Sequence, residues 1–250
     1  MEKEWFAGTP RLWIRMPVPI PFCPGCQHGT AIKMFCEVVD ELGIEGDTVL
    51  VVGVGCSTMA SMLVNVDSVM TAHGRPGDIA SAMRRVIGEK KTVVTWQGDG
   101  DTIAIGTEPT LHAASRGEKI TTVMINNGNY GTTGGQLAPT TAMGQATTTC
   151  PEGRGRLQGF PIHTAELLAN LDGVAYSARG AFTNLRNYNN TKKYMKTALQ
   201  KQKIGYSFLE ILSTCPANWH LSPQDSVKWI EEQIIPRFPV GEFKNVDAIE

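Results

Sequence analysis

Four runs of apolar and β-branched residues stand out along the chain: TVLVVGV (48–54), KTVVTWQ (91–97), ITTVMIN (120–126) and YSFLEIL (206–212). Such continuous runs predict strands buried on both faces. Between them the apolar spacing lengthens to that of a helix. In GTAIKMFCEVVDELG (29–43), Ile32, Phe35, Val39 and Leu42 recur at helical spacing, and Gly43 supplies a stop signal. Further helical patterns cover 77–88, 103–116, 189–202 and 223–235. This alternation predicts an α/β fold, a mostly parallel sheet with helices on both faces. In such sheets ligands bind beyond the carboxyl ends of the strands. Residues 1–235 read as a single domain that includes an N-terminal arm. Residues 236–250 read as a tail, a surface strap or a partner-binding arm. Residues 127–160, rich in Gly, Thr and Pro, form a stretch too long for an ordinary connection, which predicts a functional loop.

Composition narrows the classes. A chain of 250 residues fits one large α/β domain or two small ones. Its apolar runs are far short of a membrane span. The net charge of −1 lacks the basic footprint of a nucleic-acid binder. The opening MEKEWFAGTPRLWIRMPVPIPFC carries acids and prolines where a signal peptide needs an apolar centre, so a cytoplasmic location is expected. The six cysteines are then reduced thiols or metal ligands rather than a disulfide framework.

The candidate chemistry falls at strand ends. Gly98-Asp99-Gly100 follows the run TVVTW, and Asn126-Asn127 ends the run ITTVMI. In adjacent parallel strands these ends would sit side by side. Asp99 and Asn127 could then give two oxygens to one Mg²⁺, which completes its octahedron with phosphate oxygens and water. Glycines at 98 and 100 allow a ligand close to the backbone. The pattern resembles the thiamine diphosphate-binding motif of transketolase-like and decarboxylase-like enzymes. That resemblance implies Asp99, Asn127 and the carbonyl of Asn129 as Mg²⁺ ligands. Asp101 is expected behind the metal, or as a helix N-cap.

The cysteines extend the picture. Cys23-Pro-Gly-Cys26 has the spacing of two thiolates facing one metal centre, while Cys56 and Cys215 lie beyond the first and last of the four runs. Four thiols at one sheet edge suit either Zn²⁺ or a [4Fe–4S] cluster. The segments FCPGCQHG, VGVGCST, AHGR, GDGD, NNGNYGTTGGQLAPTT and LSTCPANW occur in the order found in the β subunit of 2-oxoacid:ferredoxin oxidoreductases. The resemblance spans nearly the whole chain. It implies that Cys23, Cys26, Cys56 and Cys215 bind the [4Fe–4S] cluster nearest to thiamine diphosphate. Cys36 lies in an amphipathic helix as a small hydrophobe. Cys150 reads as a loop thiol, where relatives usually have a small hydroxyl residue. His28, next to the Cys pair, is a candidate to reach the diphosphate. His73 and Arg75 of AHGR are expected to face cofactor or substrate. Thr58 is a candidate donor to a phosphate oxygen. Thr132 and Thr133 should border the reacting carbon; relatives often carry Met at 132. The lysines of 191–203 read as a solvated helix face or a seat for an acidic partner.

The resemblance implies thiamine-dependent oxidative decarboxylation of a 2-oxoacid to acyl-CoA and CO₂, with electrons passing through the cluster to ferredoxin or another acceptor. The substrate is open among branched-chain 2-oxoacids, 2-oxoglutarate, pyruvate and aryl 2-oxoacids. Catalysis would need an α subunit to complete the thiamine site, with γ and δ subunits as further candidates. Two rival readings remain. A non-redox thiamine decarboxylase or synthase subunit leaves the cysteines idle, and a Cys₄ zinc-stabilised binding protein leaves the Mg²⁺ ligands idle.

Overall fold

The computed structural model describes residues 10–14 and 20–249, so most of the expected N-terminal arm lies outside the described residues. Nine strands are present among the described residues: β1 (Thr48–Val52), β2 (Asp67–Met70), β3 (Thr92–Gly98), β4 (Thr121–Asn126), β5 (Asn129–Tyr130), β6 (Gln136–Leu137), β7 (Val174–Ala181), β8 (Tyr206–Leu212) and β9 (Gly241–Asn245). Seven form one sheet in the order β2-β1-β3-β4-β8-β7-β9. All its neighbours are parallel except β9, which runs antiparallel to β7. β5 and β6 pair separately as a small hairpin.

The helices are α1 (His28–Leu42), α2 (Ala60–Leu63), α3 (Pro76–Ile87), α4 (Asp99–Ile103), α5 (Thr107–Ser115), α6 (Thr164–Ala169), α7 (Leu185–Lys201), α8 (Pro216–Trp219) and α9 (Pro223–Trp229). Strand residues alternate between two cores. Leu50, Val52, Val94, Trp96, Val123, Ile125, Leu209 and Ile211 pack under α1 and α7. Val51, Val93, Met124 and Phe208 pack on the other side, with Ala80 of α3, Ala113 of α5 and Leu168 of α6. β1, β3, β4 and β8 therefore each present an apolar set to both faces, which is why they read as continuous runs.

Local chemistry sets the helix ends. α1 stops at Gly43, whose φ of 64° closes the last turn. α7 starts where the Asn184 side chain accepts from Asn187 N, four residues before the run at 189. Lys192 and Lys196 of α7 are not a free face: they pair with Glu37 and Glu41 of α1. The helix expected over 103–116 is two helices. α4 begins at Asp99 itself, and the Ala104–Gly106 link bends away before α5. α9 is followed by a wider π turn at Ile230–Ile234. The tail supplies β9, the edge strand of the sheet, beyond which Ile249 packs against Gly117 and Gly205.

Candidate active site

The carboxyl ends of β1, β3 and β4 open on a cavity of about 420 Å³. His28, Val54, Gly55, Cys56, Ser57, His73, Asp99, Asn127, Asn129, Tyr130 and Thr132 are among the residues that line it, with Gly98, Gly100, Asp101 and Thr133. The expected Mg²⁺ donors are thus together. Asp99 is buried at the start of α4, where Oδ1 accepts from Gly100 N at 2.8 Å and Oδ2 from Thr140 Oγ1 at 2.6 Å. No Lys, Arg or His forms an ion pair with it among the described residues. Burial raises its carboxyl to about 6, partly offset by these hydrogen bonds. A buried carboxylate without a cationic partner fits a bound cation.

The loop after β4 is tightly tied. Asn126 Nδ2 donates to Glu210 Oε1 at 2.7 Å, and its Oδ1 accepts from Gly128 N at 3.0 Å. Gly128 has φ 64°, and its carbonyl accepts from Thr141 Oγ1 at 2.6 Å. Asn127 Oδ1 accepts from Asn129 N at 3.1 Å. Glu210 is fully buried and pairs with the equally buried Arg179, 2.9 Å away, which also meets Glu166 and lies over the rings of Phe238 and Phe243. Arg154 donates to the carbonyls of Ala138, Pro139 and Thr141, fixing the segment that carries Thr140. Arg154 also donates to the carbonyls of Gln158, Gly159 and Phe160, so one guanidinium ties 138–141 to 158–160 within the 127–160 stretch.

The thiols are gathered at the same edge. Cys26 lies within electrostatic reach of Cys23, Cys56 and Cys215; burial first, then these neighbours, push its thiol up to about 12. The Cys215 thiol is raised as well, chiefly by burial. Polar side chains touch three of the sulfurs: Thr132 Oγ1 at 3.1 Å from Cys56, Asn218 Nδ2 at 3.3 Å from Cys215 and His28 Nδ1 at 3.4 Å from Cys26. Among the described residues, no three His, Cys, Asp or Glu side chains converge on one ion position. Four neighbouring thiols are a donor set for a cysteine-ligated metal centre. Cys36 is buried in the core, and Cys150 is a buried thiol in the 147–150 turn.

Three expectations change. Thr58 is not at the cavity: its hydroxyl donates to Gly53 O at 2.7 Å and accepts from Gly55 N, closing the turn after β1. Ser57 lines the cavity instead, with a buried hydroxyl that has no partner. Arg75 points to Asp78 and Glu108 at the surface and does not line the cavity. Asp101 is no N-cap. It lies inside α4, and its Oδ1 accepts from Gly74 N at 2.6 Å and meets His73 Nδ1 at 2.8 Å. His73, His28, Thr132 and Thr133 do face the cavity. His28 is buried, which lowers its ring to about 4 and keeps it neutral at pH 7. Tyr130 and Thr140 were not singled out in the sequence, although both lie within the NNGNYGTTGGQLAPTT segment. Tyr130 packs against Gly100, where a Cβ would overlap its ring.

Residues 53–211 match the thiamine pyrophosphate enzyme C-terminal TPP-binding domain, a span that begins just after β1 and carries the cavity ends of β3 and β4. The chain belongs to this family. Its relatives in the family include a 2-oxoglutarate synthase subunit KorB of Methanocaldococcus jannaschii, 32% identical over 93% of this chain and 90% of the relative. The ketoisovalerate oxidoreductase subunit VorA of Methanothermobacter thermautotrophicus is 37% identical over 93% of this chain. The chain spans about half the length of VorA, 49%. Among solved structures, a 2-oxoglutarate:ferredoxin oxidoreductase from Magnetococcus marinus, with 2-oxoglutarate, coenzyme A and succinyl-CoA bound, superposes with a TM-score of 0.75 at 25% identity, covering 96% of this chain and 89% of that one. The family's α/β architecture is thus the one seen here. Among the described residues, no helix is long and apolar enough to cross a membrane.

Proposed function

We propose that this chain is the thiamine diphosphate-binding β subunit of a cytoplasmic 2-oxoacid:ferredoxin oxidoreductase, acting with coenzyme A and an α subunit. One observation carries the reading: Cys56 lines the same cavity wall as Asp99 and Asn127. A thiol group gathered for a cluster and a carboxylate set for Mg²⁺ share one space. A non-redox thiamine enzyme has no use for that adjacency, and a zinc-stabilised binding protein has none for the Asp99 cavity. Thiamine diphosphate, when bound, acts as the electron sink for decarboxylation. The chain's own residues do the holding. Asp99, Asn127 and the Asn129 carbonyl would bind Mg²⁺, and through it the diphosphate. Cys23, Cys26, Cys56 and Cys215 would bind a [4Fe–4S] cluster. Val54 and Tyr130 give the cavity an apolar wall, and neutral His28 keeps charge away from the Cys26 side. Ferredoxin, or another acceptor, would take the electrons. Branched-chain 2-oxoacids and 2-oxoglutarate are the first substrates to test, because VorA and KorB are named for them.

The test is analysis of anaerobically purified protein. It should hold about four irons and four inorganic sulfides per chain. Serine at Cys23, Cys26, Cys56 or Cys215 should lower that content, and serine at Cys36 or Cys150 should not. Stoichiometric zinc without sulfide would overturn the redox reading.

A further inference from the structure

Asn218 lies between the two halves of the site. It is half-buried in α8, one turn after Cys215, and its side chain reaches the loop that follows β4. Its Nδ2 is 2.8 Å from the Gly131 carbonyl oxygen, 3.3 Å from Cys215 Sγ and 3.4 Å from Asn129 Oδ1. Asn129 is itself oriented, because its Nδ2 donates to Asn127 O at 3.2 Å. A carbonyl, an amide oxygen and a metal-bound thiolate only accept, so the NH₂ end of Asn218 must face all three. Gly131 is where the two halves meet. A Cβ there would lie 3.3 Å from Asn127 Nδ2 and 3.5 Å from Cys56 Sγ. Gly135 leaves room for the bridge, since a Cβ on it would come within 2.9 Å of Asn218 Cβ.

We propose that Asn218 is a positioning residue that ties the two halves together: one amide hydrogen holds the Gly131 carbonyl, and with it the Mg²⁺ loop, while the other is donated to Cys215 Sγ and raises the reduction potential of a cluster bound there. That role deepens the thiamine diphosphate and cluster reading and rests on it. Reduction adds negative charge that the thiolate sulfurs share. A donor aimed at one of them stabilises the reduced form, and its loss favours the oxidised form. Simple loosening of the fold acts the other way, because entering water also stabilises the reduced form. The sign of the shift therefore separates a hydrogen bond from mere packing.

The test uses the full-length chain, purified without oxygen and carrying its cluster. Redox titration followed by electron paramagnetic resonance gives the cluster potential, and calorimetry in saturating Mg²⁺ gives thiamine diphosphate affinity. Asn218→Leu keeps similar bulk and removes both hydrogens. It should retain iron and sulfide. At a fixed applied potential it should lower the ratio of reduced to oxidised cluster by about tenfold, a fall of about 59 mV for one electron. It should also weaken thiamine diphosphate by about fivefold, as the loss of one hydrogen bond in the loop implies. Asn218→Ala admits a water that can donate to the sulfur, so its potential should fall less. If Asn218→Leu fails to fold, a fall in Asn218→Ala decides by its sign. An unchanged or raised potential in a folded variant, or a lowered potential with thiamine diphosphate affinity unchanged, would overturn the inference. Wild-type protein that holds no iron and sulfide would instead overturn the functional reading on which it depends.

Discussion

Asp99 sets the chemistry at the smallest scale. It is the one charged group among the proposed Mg²⁺ ligands, and burial holds its carboxyl at about 6. Mg²⁺ needs the carboxylate, so protons compete with it. Affinity for Mg²⁺ should be flat above about pH 6 and fall by about tenfold per pH unit below it, as calorimetry would record. In the metal-free chain the sign reverses. The fold prefers the neutral acid, so this group's contribution to stability declines as pH rises from the ordinary 3.8 through about 6. Asp99→Ala should lower thiamine diphosphate affinity by at least about tenfold, or about 1.4 kcal/mol. Asp99 and Asn127 were legible in the sequence because each follows an apolar run that can only be a strand. Thr58 and Ser57 were not separable there. Which of two adjacent hydroxyls turns inward depends on the turn that Thr58 itself closes through Gly53 and Gly55. Arg75 was misleading for a related reason: Asp78 lies one turn on, but its other partner, Glu108, comes from α5, and only the fold brings that carboxylate to it.

At the scale of elements, β1, β3, β4 and β8 announced themselves because both of their faces are apolar. β7 did not. Its sequence VAYSARGA is small and polar, yet every residue is buried. The sequence cannot show that Arg179 is neutralised by Glu210 from β8 and Glu166 from α6. Glu210→Gln should keep the acceptor for Asn126, and with it Mg²⁺ affinity, but cost about 2 kcal/mol in chemical denaturation, because Arg179 loses one of its two carboxylate partners. Glu210→Leu should also weaken Mg²⁺ binding, since Asn126 then loses its anchor. The loop 127–160 was recognised as functional by its length, but its internal order was hidden, because Arg154 reads as one more surface charge. Arg154→Met leaves the carbonyls of Ala138, Pro139 and Thr141 without their donor. It should destabilise the fold by about 3 kcal/mol. Hydrogen exchange should show residues 138–141 loosening before the sheet does.

For the whole molecule, every described residue that lines the cavity belongs to the one domain built on this sheet. The isolated chain should therefore bind thiamine diphosphate weakly and fail to reduce ferredoxin with any 2-oxoacid plus coenzyme A. Adding the α subunit should restore both, measured by calorimetry and by ferredoxin absorbance; robust turnover by the chain alone would refute this dependence. The tail shows how far the sequence could be read at this scale. A short, half-exposed stretch such as GEFKN carries no strong period, so nothing in it announced a seventh strand. Its direction has a practical outcome. Because β9 runs against the other six strands, the polypeptide leaves the sheet at the edge opposite the cavity, where Ile249 meets Gly117 and Gly205. A tether attached after the last residue would hold the molecule on an electrode or a bead with its reactive face turned toward the solution.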